Sequence, residues 1–242
     1  MDQTTSFFDL RDALAQPGCP VCRLRARDTG RFLESLLWEQ VNDPDTRQQI
    51  RQARGFCPEH TRRLAERQAS LGIAILTRDV LHSLLDVLVD TQWQVPPRLS
   101  LKRAQEALDR SRPTVGTAEL VARLAPQRSC LVCQQANSME AIYLDTLLDR
   151  LLGEGGLLPA FQSSDGLCLP HLRLILARGR DRAVCEALVG AQAASWKRLD
   201  ADLVEFIRKN DYRFRDEPWG QERDAWRRAA AALGGSRASE GE

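Results

Sequence analysis

Residues 55–60 read "GFCPEH" and residues 166–171 read "GLCLPH". Each follows a paired cysteine, "CPVC" at 19–22 and "CLVC" at 130–133, and 34 residues separate each pair from its histidine motif. The pattern C-x2-C, 34 residues, C-x2-H thus occurs twice with the same gap. Three thiolates and one imidazole form the donor set of a closed, tetrahedral structural zinc site. Taken in chain order, the ligands are Cys19, Cys22, Cys57 and His60 in one unit and Cys130, Cys133, Cys168 and His171 in the other. Two zinc ions are expected.

The second half of each motif suits a helix start. In "CPEH" Cys57 can cap a helix, Pro58 fits its first turn and His60 follows within that turn; "CLPH" repeats this with Pro170 one position later. Three thiolates on one divalent ion leave a net charge of about −1, which the positive end of a helix dipole helps to hold. The gap can also close. A helix over 23–40 runs about 27 Å outward and one over 44–54 about 16 Å back. Five or six extended residues add nearly 20 Å. The expected unit is a helical hairpin pinned by metal at its open end.

The flanking sequence is helical. In "AILTRDVLHSLLDVLVD" Leu76, Val80, Leu84 and Leu88, with Leu81 and Leu85 beside them, make one continuous stripe. Similar stripes run through "GRFLESLLWEQV", "MEAIYLDTLLDRLL" and "LDADLVEFIRK". Alternation of period two and hairpin-turn dipeptides are absent. The expected fold is all-α, with two tandem duplicated helical units, each holding a Cys3His metal site at the base of a hairpin. Aligning Cys19 with Cys130 also pairs Phe32 with Tyr143, Leu36 with Leu147, Leu37 with Leu148 and Gly55 with Gly166. The expected boundaries are 1–94 for the first metal-binding unit, 95–116 for a proline-flanked connector, 117–233 for the second unit and 234–242 for a disordered tail.

Other uses of the cysteines are weighed against zinc. They can be buried, reduced cysteines of a duplicated core, or ligands of two iron–sulfur clusters, since clusters also take thiolate and imidazole ligands. A disulfide oxidoreductase is disfavoured because no βαβ pattern surrounds "CPVC" and "CLVC" lacks its proline. Covalent haem needs a histidine directly after the pair, where Arg23 and Gln134 stand. Cys185, the seventh cysteine, reads as a small buried hydrophobe.

The 242 residues suffice for one large domain or two small ones. A net charge of +1 supplies no global field for nucleic acid or an anionic membrane. The longest apolar run near mid-chain, "LGIAILT", is far short of a membrane span, and the N-terminus has no basic stretch followed by an apolar one. A cytoplasmic location is expected, where clustered thiols stay reduced. His82, with Arg78 and Asp86 on one face, reads as solvated. Glu39, Asn42, Asp43 and Asp45 gather near the first hairpin's tip; an enzyme would use them as general bases, whereas capping and surface charge explain them without catalysis. Trp219 and Trp226, with Arg213 and Arg215, suit either a partner-binding surface or a terminal helix docking its aromatics into the core.

Taken together, "CPVCRL", "LLWEQVNDP", "GFCPEH", the second C-x2-C and "GLCLPH" resemble an uncharacterised prokaryotic domain-of-unknown-function family with duplicated cysteine motifs. The resemblance runs from about residue 7 to the "DAWRRAAAALGG" near the end, and implies the metal sites without implying an activity. The second half lacks the "NDP" turn. The expected role is a cytoplasmic, metal-binding interaction or scaffold module with a protein partner, more a binding protein than an enzyme; the rivals are an iron–sulfur redox or regulatory protein and an enzyme using the first-unit carboxylates.

Overall fold

Four helices begin on the residue after a cysteine, and this repeated start organises the chain. In the computed structural model, which describes residues 5–90, 117–214 and 216–235, the order is α1 (Thr5–Leu14), α2 (Pro20–Trp38), α3 (Pro44–Gln52), α4 (Pro58–Ala65) and α5 (Ser70–Val89). Then follow α6 (Thr117–Leu124), α7 (Leu131–Asp149), α8 (Leu158–Ser163), α9 (Leu169–Arg178) and α10 (Arg182–Lys209). Two 3-10 turns, Tyr212–Phe214 and Gln221–Asp224, lead into α11 (Ala225–Gly234). Every regular element among the described residues is helical, as the periodicity predicts. The expected connector over 95–116, Arg215, and residues 236–242 of the expected tail lie outside the described residues.

The chain divides into two compact units, one drawn from Met1–Gly30 and Ala136–Glu242, the other from Arg31–Gln135. The expected boundaries, 1–94 and 117–233, run consecutively, whereas this contact division joins the two chain ends. The reason lies in α2 and α7. Each has 19 residues, about 28 Å of helix. Val21 and Leu24 of α2 are buried in one core, and Leu33, Leu36 and Leu37 in the other. Likewise Val132 of α7 is buried in one core, and Tyr143, Leu144 and Leu147 in the other.

In the unit of the two chain ends, α10 packs on α8 and α11, and α1 packs on α8. Leu10, Tyr143, Phe161, Ile175 and Leu188 fill its core. Tyr143 is apolar along its ring and polar at its tip, so its burial needs a partner. Its hydroxyl donates to Asp28 at 2.6 Å, and Arg27 donates to both Asp9 oxygens at 2.9 and 2.7 Å. Near the start of α9, the buried Gln192 of α10 accepts from the Leu167 N–H at 2.8 Å and donates to its carbonyl at 3.1 Å. That clamp fixes the backbone one residue before Cys168. Gly166 has φ +74°, which favours glycine, and a Cβ there would also stand 2.7 Å from the Gln192 side-chain amide and disturb the clamp.

In the Arg31–Gln135 unit, α5 packs on α3, α4 and α6 around Leu33, Leu36, Ile50, Leu64, Leu76 and Val80. Asp43 caps α3 as its sequence predicts: its carboxylate accepts from the Thr46 N–H at 2.7 Å and Pro44 occupies the first turn. Asp79 of α5 accepts from Arg47 at 2.9 Å and from Arg51 at 2.5 Å, tying α5 to α3. A Cβ on Gly72 would lie 2.9 Å from the Leu37 carbonyl oxygen, so α5 crosses α2 where only glycine fits. The expected stripe along α5 is buried only in part. Leu76 and Val80 are in the core, Leu84 is half-buried, and Leu81, Leu85 and Leu88 are exposed.

Candidate metal centres

The grammar of each ligand pair is the same. Cys19, Cys57, Cys130 and Cys168 directly precede α2, α4, α7 and α9, and the carbonyl of each accepts the N–H four residues on, at 3.2, 2.8, 3.0 and 2.8 Å. Each cysteine is thus the cap of its helix. Cys57 and Cys168 take the extended backbone of a cap, with φ near −68° and −69°. The second ligand, three residues on, falls in the first turn, where it faces the same open end as the cap. A spacing of two intervening residues therefore places both donor atoms at a helix N-terminus, where unpaired N–H groups carry partial positive charge.

Two such ends meet in each cluster. Cys19, Cys22, Cys168 and His171 place one ligand atom each within 4.8 Å of all the others, and so do Cys57, His60, Cys130 and Cys133. All eight predicted residues are therefore brought together, but not in chain order. The C-x2-C of each half joins the C-x2-H of the other, which corrects the expected grouping of Cys19 and Cys22 with Cys57 and His60, and of Cys130 and Cys133 with Cys168 and His171. The physical reason is the linker after α3. The outward helix α2 spans about 28 Å and α3, with nine residues, returns only about 13 Å. Arg54 and Gly55, at φ 56° and 99°, turn the chain where the expected extended residues would cover the remaining distance, and the motif meets the start of α7 instead.

The distances fit one ion at each centre. In the first, Cys22 Sγ is 3.6 Å from Cys168 Sγ, and His171 Nδ1 is 3.4, 3.4 and 3.0 Å from the sulfurs of Cys19, Cys22 and Cys168. In the second, Cys57 Sγ is 3.6 Å from Cys133 Sγ, and His60 Nδ1 is 3.2, 3.6 and 3.3 Å from Cys57, Cys130 and Cys133. A tetrahedron with metal–sulfur bonds of about 2.3 Å sets its sulfurs about 3.7 Å apart. All seven cysteines are free thiols rather than disulfides.

The donors of the first centre act strongly on one another. Burial pushes the Cys19 thiol well up, and the neighbouring Cys168 and Cys22 add to the rise. Cys22 is driven down instead, by hydrogen bonds from Cys168 and Cys19. Burial alone would lower His171, but the sulfurs of Cys168 and Cys22 and the Glu140 carboxylate push it up to about 11. A single divalent ion, if bound, would offset the thiolate charge of these four crowded donors at once. In the second centre burial, then Cys57 and Cys130, push the Cys133 thiol up to about 12.

Behind the first centre stands a group the sequence did not single out. Glu140 Oε2 lies 3.5 Å from His171 Nε2, the ring nitrogen facing away from the sulfurs, and 3.0 Å from Arg25 Nη1. Burial opposes its charge, yet His171 and Arg25 hold its carboxyl below the ordinary range. A carboxylate on the far nitrogen fixes the tautomer that presents Nδ1 to a metal. Nothing in the spacing of Glu140 from the cysteines marks it; only the fold brings it to His171. The backbone of Gly235 also closes over this centre, since a Cβ there would be 3.7 Å from Cys168 Sγ and 3.8 Å from Cys22 Sγ. Gly234, placed in the expected tail, ends α11, and Gly235, its C-cap, lies against the ligand set.

The other candidates stay apart from both centres. Glu39, Asn42, Asp43 and Asp45 are exposed, and the Asp43 carboxylate is engaged in its cap. His82 is exposed together with Arg78 and Asp86. Cys185 is only partly buried, its sulfur against Gly179. Trp219 leans on Phe206, with ring centroids 5.5 Å apart, and Trp226 lies under Arg227. Both indoles are about half exposed rather than inserted in the core.

Residues 1–240 match a family of unknown function, DUF6062, and the chain belongs to that family. The chain is also similar to an uncharacterized 23.9 kDa protein in the xynA 3' region of Caldicellulosiruptor sp. (strain Rt8B.4). The two are 26% identical over 195 residues, which cover 81% of this chain and 83% of the relative. No solved structure matches the chain. Among the described residues, no helix is long and apolar enough to cross a membrane.

Proposed function

We propose that this member of DUF6062 carries two structural zinc ions, one in each crossed Cys3His set, and acts as a helical interaction or scaffold module. The observation that carries the reading is the approach of all four donor atoms in each set to within 4.8 Å. A cluster of several irons stands between its ligands and spreads them further than one ion does, so this closeness favours a single metal over the iron–sulfur alternative. Three thiolates and one imidazole select zinc among the divalent ions. A shell of four protein ligands leaves no position for water or substrate, which favours a staple over a catalytic centre.

A staple has structural value here. Each ion would join two helix starts far apart in sequence, 146 residues between Cys22 and Cys168 and 76 between Cys57 and Cys133. Closing loops of that length by metal makes binding free energy into folding free energy. Free thiols of this kind suit a reducing compartment, in keeping with a cytoplasmic protein. A module without a reactive centre acts through its surface, and Leu81, Leu85 and Leu88 of α5 are the apolar positions that a partner would cover. The test is anaerobic purification followed by elemental analysis and thermal unfolding with and without chelator. Two zinc ions per chain in a colourless protein, with unfolding at lower temperature after chelation, are expected; a brown protein containing iron and inorganic sulfide would overturn the reading.

A further inference from the structure

The two centres differ in how they meet solvent. In the first, Cys19, Cys22, Cys168 and His171 are all buried, Cys168 to 1% exposure, and Gly235 closes over two of the sulfurs. In the second, Cys130 and His60 are buried but Cys57 and Cys133 are partly exposed. The two partly exposed ligands are also neighbours, with their sulfurs 3.6 Å apart. A disulfide needs about 2.05 Å between sulfurs. A closure of about 1.6 Å therefore joins them, and the two sulfurs so joined can no longer both serve as thiolate ligands.

From this asymmetry we infer that Cys57 and Cys133 form a peroxide-sensitive pair whose oxidation releases the metal of the second centre while the first keeps its own. The inference rests on the metal reading above. The chemistry is that of a thiolate with hydrogen peroxide. The sulfur of one ligand attacks a peroxide oxygen and the O–O bond breaks, giving a sulfenic acid and, with a proton from solvent, one water. The other sulfur attacks the sulfenic sulfur; the S–S bond forms, the S–O bond breaks, and the departing hydroxide takes a second proton to become the second water. Two electrons pass from the two thiolates to peroxide. Zinc stays divalent and leaves because only Cys130 and His60 remain to hold it. A dithiol reductant reverses the step by returning the two electrons to the sulfurs.

Burial decides which centre reacts first, because peroxide must reach sulfur. Cys19, Cys22 and Cys168 are 8%, 7% and 1% exposed, whereas Cys57 and Cys133 are partly exposed, so peroxide reaches the α4 and α7 pair more readily. The experiment uses the full zinc-loaded chain. Its zinc content is measured, peroxide is added, released zinc is followed with a coloured chelator, and the cysteines are mapped by alkylation and peptide mass spectrometry. One zinc per chain should leave in a first phase together with a Cys57–Cys133 disulfide, and the second at least about tenfold more slowly. Dithiothreitol plus zinc should restore the starting content. Release of both ions in one phase, or first oxidation at Cys19, Cys22 or Cys168, would overturn the inference and leave the metal reading standing. A purified chain without zinc before peroxide is added would overturn the metal reading itself.

Discussion

Cys22 and Cys168 lie 146 residues apart in the chain, yet their sulfurs are 3.6 Å apart. This contact distinguishes the crossed arrangement from one in which each half holds its own ion. It makes paired substitutions informative. Cys22→Ser with Cys168→Ser removes two ligands from one centre and should leave about one zinc per chain. Cys22→Ser with Cys57→Ser damages both centres and should leave close to none. Pairing in chain order predicts the opposite, and elemental analysis of the two double variants decides.

Glu140 is placed to orient His171, at 3.5 Å from its outer nitrogen. Partners of this kind typically affect metal affinity by about 10–100-fold. Glu140→Gln keeps the shape and removes the charge, so the first centre should lose zinc to a competing chelator at correspondingly lower chelator concentration. The second centre, with none of these atoms, should be unaffected. Equal weakening of both centres would mean that Glu140 acts on folding rather than on the histidine.

The Asp79 carboxylate ties α5 to α3 through Arg47 and Arg51. Burial works against its charge, but the two guanidinium groups hold its carboxyl below the ordinary range. A carboxyl lowered on folding contributes stability that is present above its unfolded pKa, near 3.9, and is lost as pH falls through its folded value. Asp79→Asn should therefore cost about 1–2 kcal/mol near neutral pH. The gap between variant and wild type should begin to close as pH falls below about 4 and shrink further at lower pH. Urea unfolding of both proteins across that range measures the gap directly, and a gap independent of pH would contradict the assignment.

Much of this was legible in the chain. Asp43 and Pro44 announce a helix start, and the residues after Cys57 and Cys168 announce two more. The spacing of the eight candidate ligands singles them out because a cap and its first turn set that spacing, and the fold gathers them into two groups of four. The partner of each pair was not legible, since it depends on how the chain turns after α3, at Arg54 and Gly55, rather than on either motif. Glu140 and Gly235 were invisible for a related reason: each reaches the first centre from another part of the chain, with no local pattern to mark it. Periodicity along α5 overstated burial, because a stripe shows which face is apolar but not how far its neighbours extend. Leu76 is covered and Leu85 is not.

Gly72 shows a helix position where packing overrides propensity. In an ordinary helix interior, alanine is favoured over glycine by about 1 kcal/mol. Here its Cβ would meet the Leu37 carbonyl oxygen at 2.9 Å, with Val41 3.3 Å away. Backbone cannot yield as a flexible side chain can, so Gly72→Ala should lower stability by about 1–3 kcal/mol. A stabilised variant in denaturant unfolding would contradict the close crossing of α5 over α2.

The most direct measurement is anomalous diffraction from crystals of the zinc-loaded chain at the zinc absorption edge. Two peaks are predicted per chain. One should lie about 2.3 Å from the sulfurs of Cys19, Cys22 and Cys168 and about 2.0 Å from His171 Nδ1, and the other should be held likewise by Cys57, Cys130, Cys133 and His60. A peak shared by Cys19 and Cys22 with Cys57 and His60, or no peak at either ligand set, would contradict the crossed metal centres.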